Sequence, residues 1–133
     1  MALSASYKYQ TLTAPNDIRL LDILPGRSGE PLCISLRIVN LDTRPDYEAL
    51  SYVWGDPTIT RNLRCNGNDI HVTTNLHDAL TQLRLTDRPR TLWADALCIN
   101  QADLDEKAQQ IRIMHLIYRE CRCCVVWLGT TDE

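Results

Sequence analysis

The sequence predicts an α/β fold: a partial parallel sheet flanked by helices, with an N-terminal antiparallel β extension and a β-hairpin insertion. Three observations carry this. From Tyr47 onward, runs of strand length and helical periodicity follow in the order strand, helix, strand, helix, strand, which is how parallel strands joined by right-handed crossovers read. Asn66-Gly67 sits between two short strand-like runs, a strong hairpin signal because both central positions of the favoured turn need positive φ. Residues 1–46 hold short alternating runs punctuated by turn residues. The expected organisation is a β extension over 1–46 and an α/β unit over 47–133, together one compact domain.

Taken in order, Tyr7–Leu12 and Ile18–Leu24 read as two short strands parted by Ala14-Pro15-Asn16-Asp17. Pro25–Pro31 is a loop by composition. Leu32–Leu41 places Leu32, Ile34, Leu36 and Ile38 at period two, a half-buried strand. Together these runs form a small antiparallel sheet, either an edge extension or a cap. Glu48–Trp54 is a strand apolar on both faces, ended by Gly55-Asp56-Pro57. Asn62–Cys65 and Asp69–Thr73 are the arms of the hairpin. Thr74 or Asn75 caps a helix whose Leu76, Ala79, Leu80 and Leu83 share a face, running to about Leu85. Arg90–Leu97 is a central strand. Asp103 starts a long helix with Leu104, Ala108, Ile111, Met114, Tyr118 and Cys121 on its apolar face, and Val125–Leu128 is the last strand.

Composition excludes several classes. The 133 residues suffice for one core. The net charge is −3, and the Lys and Arg residues are scattered, which argues against nucleic-acid binding. No run approaches the roughly 18 apolar residues that span a bilayer, and the first residues lack a secretory signal, so a cytoplasmic location is expected. In that compartment the six cysteines are free thiols. Cys121, Cys123 and Cys124 lie too close together for a zinc pair-of-pairs, so no metal is expected.

Ligands of open α/β sheets bind beyond the carboxyl ends of the strands. Strand 47–54 delivers Trp54, Gly55 and Asp56 to that edge, and strand 90–97 delivers Asp95, Cys98, Asn100 and Gln101, so these seven form the candidate cleft with Glu106 at its rim. Each has a structural counterpart. Trp54 can fill the core, Gly55-Asp56 can form a turn, and Asn100 and Gln101 can hold loop backbone. Asp95 shares strand parity with Trp93. A carboxylate so placed is either paired, with Arg61, Arg64 or Arg112, or shifted in pKa for catalysis. Asp103 and Glu106 match a capping box, in which Glu106 reaches back to the Asp103 amide; the functional alternative makes Asp95 and Glu106 an acid–base pair. Cys98 lacks a histidine at fixed spacing, although His71 or His77 could approach it in space.

The blocks YEALSYVWGD (47–56) and LWADALCINQADLDEKAQQI (92–111), with the helix end and strand through Gly129, resemble the fungal heterokaryon-incompatibility (HET) domain. Residues 1–46 carry no part of that resemblance. It implies a cytosolic effector of the self/non-self reaction that kills fused fungal cells, with a TIR-like, flavodoxin-like sheet. Several TIR domains cleave NAD or assemble through the long loop after their second strand. Their catalytic Glu lies in the helix after the third strand, which here would begin past Glu133. Either an enzyme of that type is truncated, Glu106 substitutes, or the domain works without glycohydrolase chemistry.

Two readings follow. One is a cell-death module that self-associates, or binds another protein domain, through the Ser51–Asp56 and Cys98–Asp103 loops. The other is a small-molecule enzyme, nucleotide-cleaving or biosynthetic, that uses Asp95 and Glu106. No cofactor is expected; NAD enters only as a substrate. An open edge at Val125–Leu128 would invite another chain to pair with it.

Overall fold

The computed structural model describes residues 6–129, so the outermost ends of both expected segments, 1–5 and 130–133, lie outside it. Its strands are β1 (Asp17–Ile23), β2 (Cys33–Asn40), β3 (Glu48–Tyr52), β4 (Thr60–Cys65), β5 (Asn68–Thr73), β6 (Arg90–Trp93) and β7 (Cys123–Trp127). Its α-helices are α1 (Thr74–Leu83), α2 (Asp95–Cys98) and α3 (Leu104–Glu120). The fold is α/β: one mixed seven-stranded sheet in the order β5-β4-β2-β1-β6-β3-β7, flanked by helices.

The expected parallel set is β6-β3-β7, with Glu48 opposite Leu92 on one side and Cys123 on the other. The front strands are neither a cap nor an edge piece. β1 pairs antiparallel with β2 along its whole length and with β6 through Leu21–Ile23, so it lies inside the sheet. This is why Ile18, Leu20, Leu21 and Ile23 are buried on both faces. The predicted period holds for Leu32, Ile34 and Leu36, which are buried, but not for Ile38, which is 36% exposed toward the end of β2.

Asn66 (φ 52) and Gly67 (φ 81) form the hairpin turn between β4 and β5. Asn66 also accepts the Leu36 N–H at 2.8 Å, which ties the turn to β2. Thr73, one residue earlier than expected, caps α1 by accepting the Leu76 N–H, and α1 stops at Leu83 rather than Leu85.

Three further expectations are corrected. Tyr7–Leu12 is not a strand. Tyr7 and Tyr9 pack their rings at 5.1 Å and lie against the core, so their alternation reflects side-chain packing; the ladder there is one bridge, Ser6 to Asp69. The strand expected over Arg90–Leu97 ends at Trp93, and α2 follows. Its apolar residues Leu97 and Cys98 are buried by a helical turn, which a short apolar run cannot distinguish from a strand. In α3 the predicted inward residues Leu104 and Ile111 are 75% and 55% exposed, because the inward face of its first turns is polar. Glu106 and Gln110 are buried there with Ile117, and Gln110 donates to the Asp17 carbonyl at 3.0 Å.

Candidate functional site

Beyond β3 the chain turns sharply at Gly55 (φ 78). Asn75 of α1 donates to the Val53 carbonyl at 3.0 Å, and a Cβ on Gly55 would lie 2.7 Å from the Asn75 amide nitrogen. Glycine is therefore required twice, by conformation and by space. Asp56 serves its own turn: its carboxylate accepts the Thr58 N–H and hydroxyl at 2.9 and 2.7 Å, and those bonds hold its pKa below the usual carboxylate range.

Beyond β6, Trp93 and Ala94 are buried and α2 presents Asp95 in its first turn. Gln101 folds back to donate to the Asp95 carbonyl at 2.9 Å, and Asn100 accepts the Ala102 N–H at 3.2 Å, so both brace the loop. Cys98 is wholly buried and its thiol is pushed up to about 12 by that burial. Its neighbours are the Ala94 amide, Arg19 and Asp95, not His71 or His77, so it packs as a small apolar residue.

The two loops meet at one side-chain bond, in which the Trp54 indole N–H donates to Asp95 at 3.2 Å. Asp95 is not paired with Arg61, which faces Asp78 at 3.6 Å, or with Arg64, which faces Asp69 at 3.7 Å, and Arg112 makes no ion pair among the described residues. With no cation beside it, burial raises the Asp95 pKa, opposed by the Trp54 bond. The charge of Asp95 reaches Tyr52 and Tyr118, whose hydroxyls are raised mainly by burial. The Tyr52 hydroxyl is buried without a partner, and Tyr118 stands edge-on to Trp93 with ring centroids 5.6 Å apart.

Glu106 lies elsewhere. Asp103 accepts the Glu106 N–H at 3.1 Å as a cap should, but the Glu106 side chain does not return to the Asp103 amide. It turns inward and takes both Arg19 guanidinium nitrogens at 2.7 Å, plus the Asn100 N–H at 2.6 Å. Arg19 also donates to the carbonyls of Gln10 and Cys98 and lies 4.8 Å from the Tyr9 ring centre. Glu106 borders a separate groove of about 210 Å³ with Thr11, Leu12, Asp103, Asp105 and Gln109.

Of the eight residues singled out in the sequence, Trp54, Gly55 and Asp95 therefore share the edge. Gln101 and Asn100 shape the loop, Asp56 faces its own turn, and Cys98 and Glu106 are buried. Sequence reasoning missed Tyr52, Tyr118, Asn75 and Arg19 as parts of this arrangement. Tyr52 carried a usable signal: two residues before Trp54, it has the same strand parity.

Among the described residues, no three His, Cys, Asp or Glu side chains converge as a metal site, and no helix is long and apolar enough to cross a membrane. All six cysteines are free thiols.

Residues 47–133 match the Heterokaryon incompatibility protein (HET) family model. The chain is 37% identical over 139 residues to Heterokaryon incompatibility protein 6, OR allele, of Neurospora crassa. That alignment takes in 93% of this chain, reaching well ahead of Tyr47, and 20% of the relative, so the chain spans about a fifth of that protein's length. No solved structure matches. The chain belongs to the heterokaryon incompatibility (HET) family.

Proposed function

We propose that this domain is the heterokaryon-incompatibility module of a fungal cell-death effector and that it works in the cytoplasm by self-association. One observation supports self-association above the others. Among the described residues β7 is an edge strand that pairs with β3 alone, while Val126 and Leu128 are 61% and 90% exposed. The strand carries no charge, proline or bulge to discourage another chain. The opposite edge, β5, is partly covered by the Ser6 bridge and the Tyr7 N–H bond to Asp69. Val53, 72% exposed just beyond β3, lies next to the end of β7. Expressing the complete protein in a fungal host tests the reading. Wild type is expected to reduce viability, and Val126→Lys to relieve it at equal protein level; equal viability with an empty control contradicts the proposal.

A second reading is small-molecule chemistry, NAD cleavage included. It is favoured by the raised pKa of an unpaired Asp95 beside the unpartnered Tyr52 hydroxyl. Because Arg19 and Asn100 engage Glu106, Asp95 would act here without Glu106 as its partner. Nicotinamide release from NAD by purified protein, lost in Asp95→Asn, is the corresponding test.

A further inference from the structure

Asp95 is an acid without a base. Its one side-chain hydrogen-bond partner among the described residues is a neutral indole, and it belongs to no ion pair. By contrast, Glu48 of β3 holds Arg90 at 2.8 Å, Asp22 of β1 holds Arg37 at 2.8 Å and Glu106 of α3 holds Arg19, while Asp17 of β1, which also has no cation among the described residues, accepts hydrogen bonds from Asn40 and the Ala14 N–H at 3.0 Å. A carboxylate partly withdrawn from water attracts a cation, and here the groups around it are aromatic. Trp54 is 41% exposed and bonded to the carboxylate, Tyr52 lies two residues before it on β3, and Tyr118 packs edge-on against Trp93. Aromatic faces bind cations through their quadrupole, most strongly for Trp and where water is displaced.

We propose that Asp95, Trp54 and Tyr52 form a subsite for a small organic cation, a quaternary ammonium or pyridinium group, whose charge meets Asp95 while its carbon skeleton lies on Trp54. A strongly hydrated metal ion fits this site poorly, since it demands several oxygen ligands and Asp95 supplies the one carboxylate. The Tyr52 hydroxyl, buried without a partner and within reach of the Asp95 charge, would gain its missing hydrogen bond from a polar substituent on a cation that enters deeply enough to meet it. The inference rests on the small-molecule reading of this edge. It concerns binding alone, so it can stand or fall separately from turnover.

The test uses the 133-residue chain labelled with ¹⁵N and follows the three indole N–H signals, that of Trp54 being identified by its loss in Trp54→Phe. Choline, tetramethylammonium and N-methylpyridinium are titrated at constant ionic strength against 3,3-dimethyl-1-butanol, the neutral isostere of choline. The cations are expected to shift the Trp54 signal saturably, and the neutral isostere to do so roughly tenfold more weakly. Asp95→Asn, with its other indole signals unchanged, should weaken the cations by roughly the same factor. Tyr52→Phe should weaken choline but not tetramethylammonium. A response that the neutral isostere reproduces, or that survives Asp95→Asn at full strength, overturns the proposal. So does a shift that stays linear for every cation. Cation binding without nicotinamide release leaves this proposal standing and removes NAD cleavage. Nicotinamide release without cation binding does the reverse.

Discussion

Arg19 and Glu106, 87 residues apart, form a buried bidentate ion pair with both N···O distances at 2.7 Å. The pair fastens β1 to the first turn of α3, and through Cys98 and Asn100 it also holds the end of α2, which carries Asp95, and the loop that follows it. The front of the chain thereby shares one sheet and one core with the segment that matches the HET family model.

Glu106→Gln is accordingly expected to be severe. It keeps the shape but leaves the Arg19 charge buried and unpaired, at a cost of about 3–5 kcal/mol in urea denaturation. Asp103→Ala should cost only about 0.5–2 kcal/mol, the worth of one cap. The double variant Arg19→Met/Glu106→Leu should recover part of the loss but not all, because the Asn100 N–H and the Gln10 and Cys98 carbonyls lose their partner. A Glu106→Gln protein as stable as wild type would show the pair to be dispensable.

Asp95→Asn should not destabilise the protein at neutral pH. A carboxyl whose folded pKa lies above its unfolded value holds its proton more tightly when folded. It therefore contributes stability below the unfolded value and loses that contribution as pH rises through the folded one. Asp95 is such a group, its pKa raised by burial. Wild type should thus fall behind Asp95→Asn in melting temperature as pH rises out of the acid range, and the two should converge below it. A variant less stable than wild type at pH 7 would reveal a cation bound to Asp95 in the folded protein.

The hairpin offers a local test. Gly67→Ala meets no neighbour but sits at φ 81, so its cost should be backbone strain of about 1–2 kcal/mol. Asn66→Ala should cost more, since it also removes the bond to the Leu36 amide. Thermal melts of both decide the order. Either variant, once folded, should keep whatever activity wild type shows.

Much of this fold could be read locally because its signals are local. Leu32, Ile34 and Leu36 repeat every second residue, Asn66-Gly67 dictates its turn, and Asp103 caps α3. What could not be read depends on partners distant in sequence. Nothing near Arg19 announces Glu106, and without that contact the polar inner face of α3 looks like its outer one. The site was half legible. The loops at Trp54 and Asp95 were placed at one edge, but the indole–carboxylate bond, the solitary Asp95 and the nearby Tyr52 emerge only when β3 and β6 lie side by side.

The thiols should divide by burial. Cys65 and Cys98, both buried and pushed up to about 12, should resist alkylation until the protein unfolds, whereas exposed Cys123 and Cys124 should react at once. Mass spectrometry of briefly alkylated protein reads this directly. Reductant should leave the melting temperature unchanged, and a fall on reduction would expose a structural disulfide.

Self-association through the open β7 edge is the central claim, and the molar mass of the purified chain by light scattering over a concentration series tests it most directly. The mass should rise from 15.2 kDa toward twice that value, and Val126→Lys, unaltered in melting temperature, should remain at 15.2 kDa throughout. A wild-type mass fixed at 15.2 kDa at every concentration, or association untouched by Val126→Lys, would contradict it.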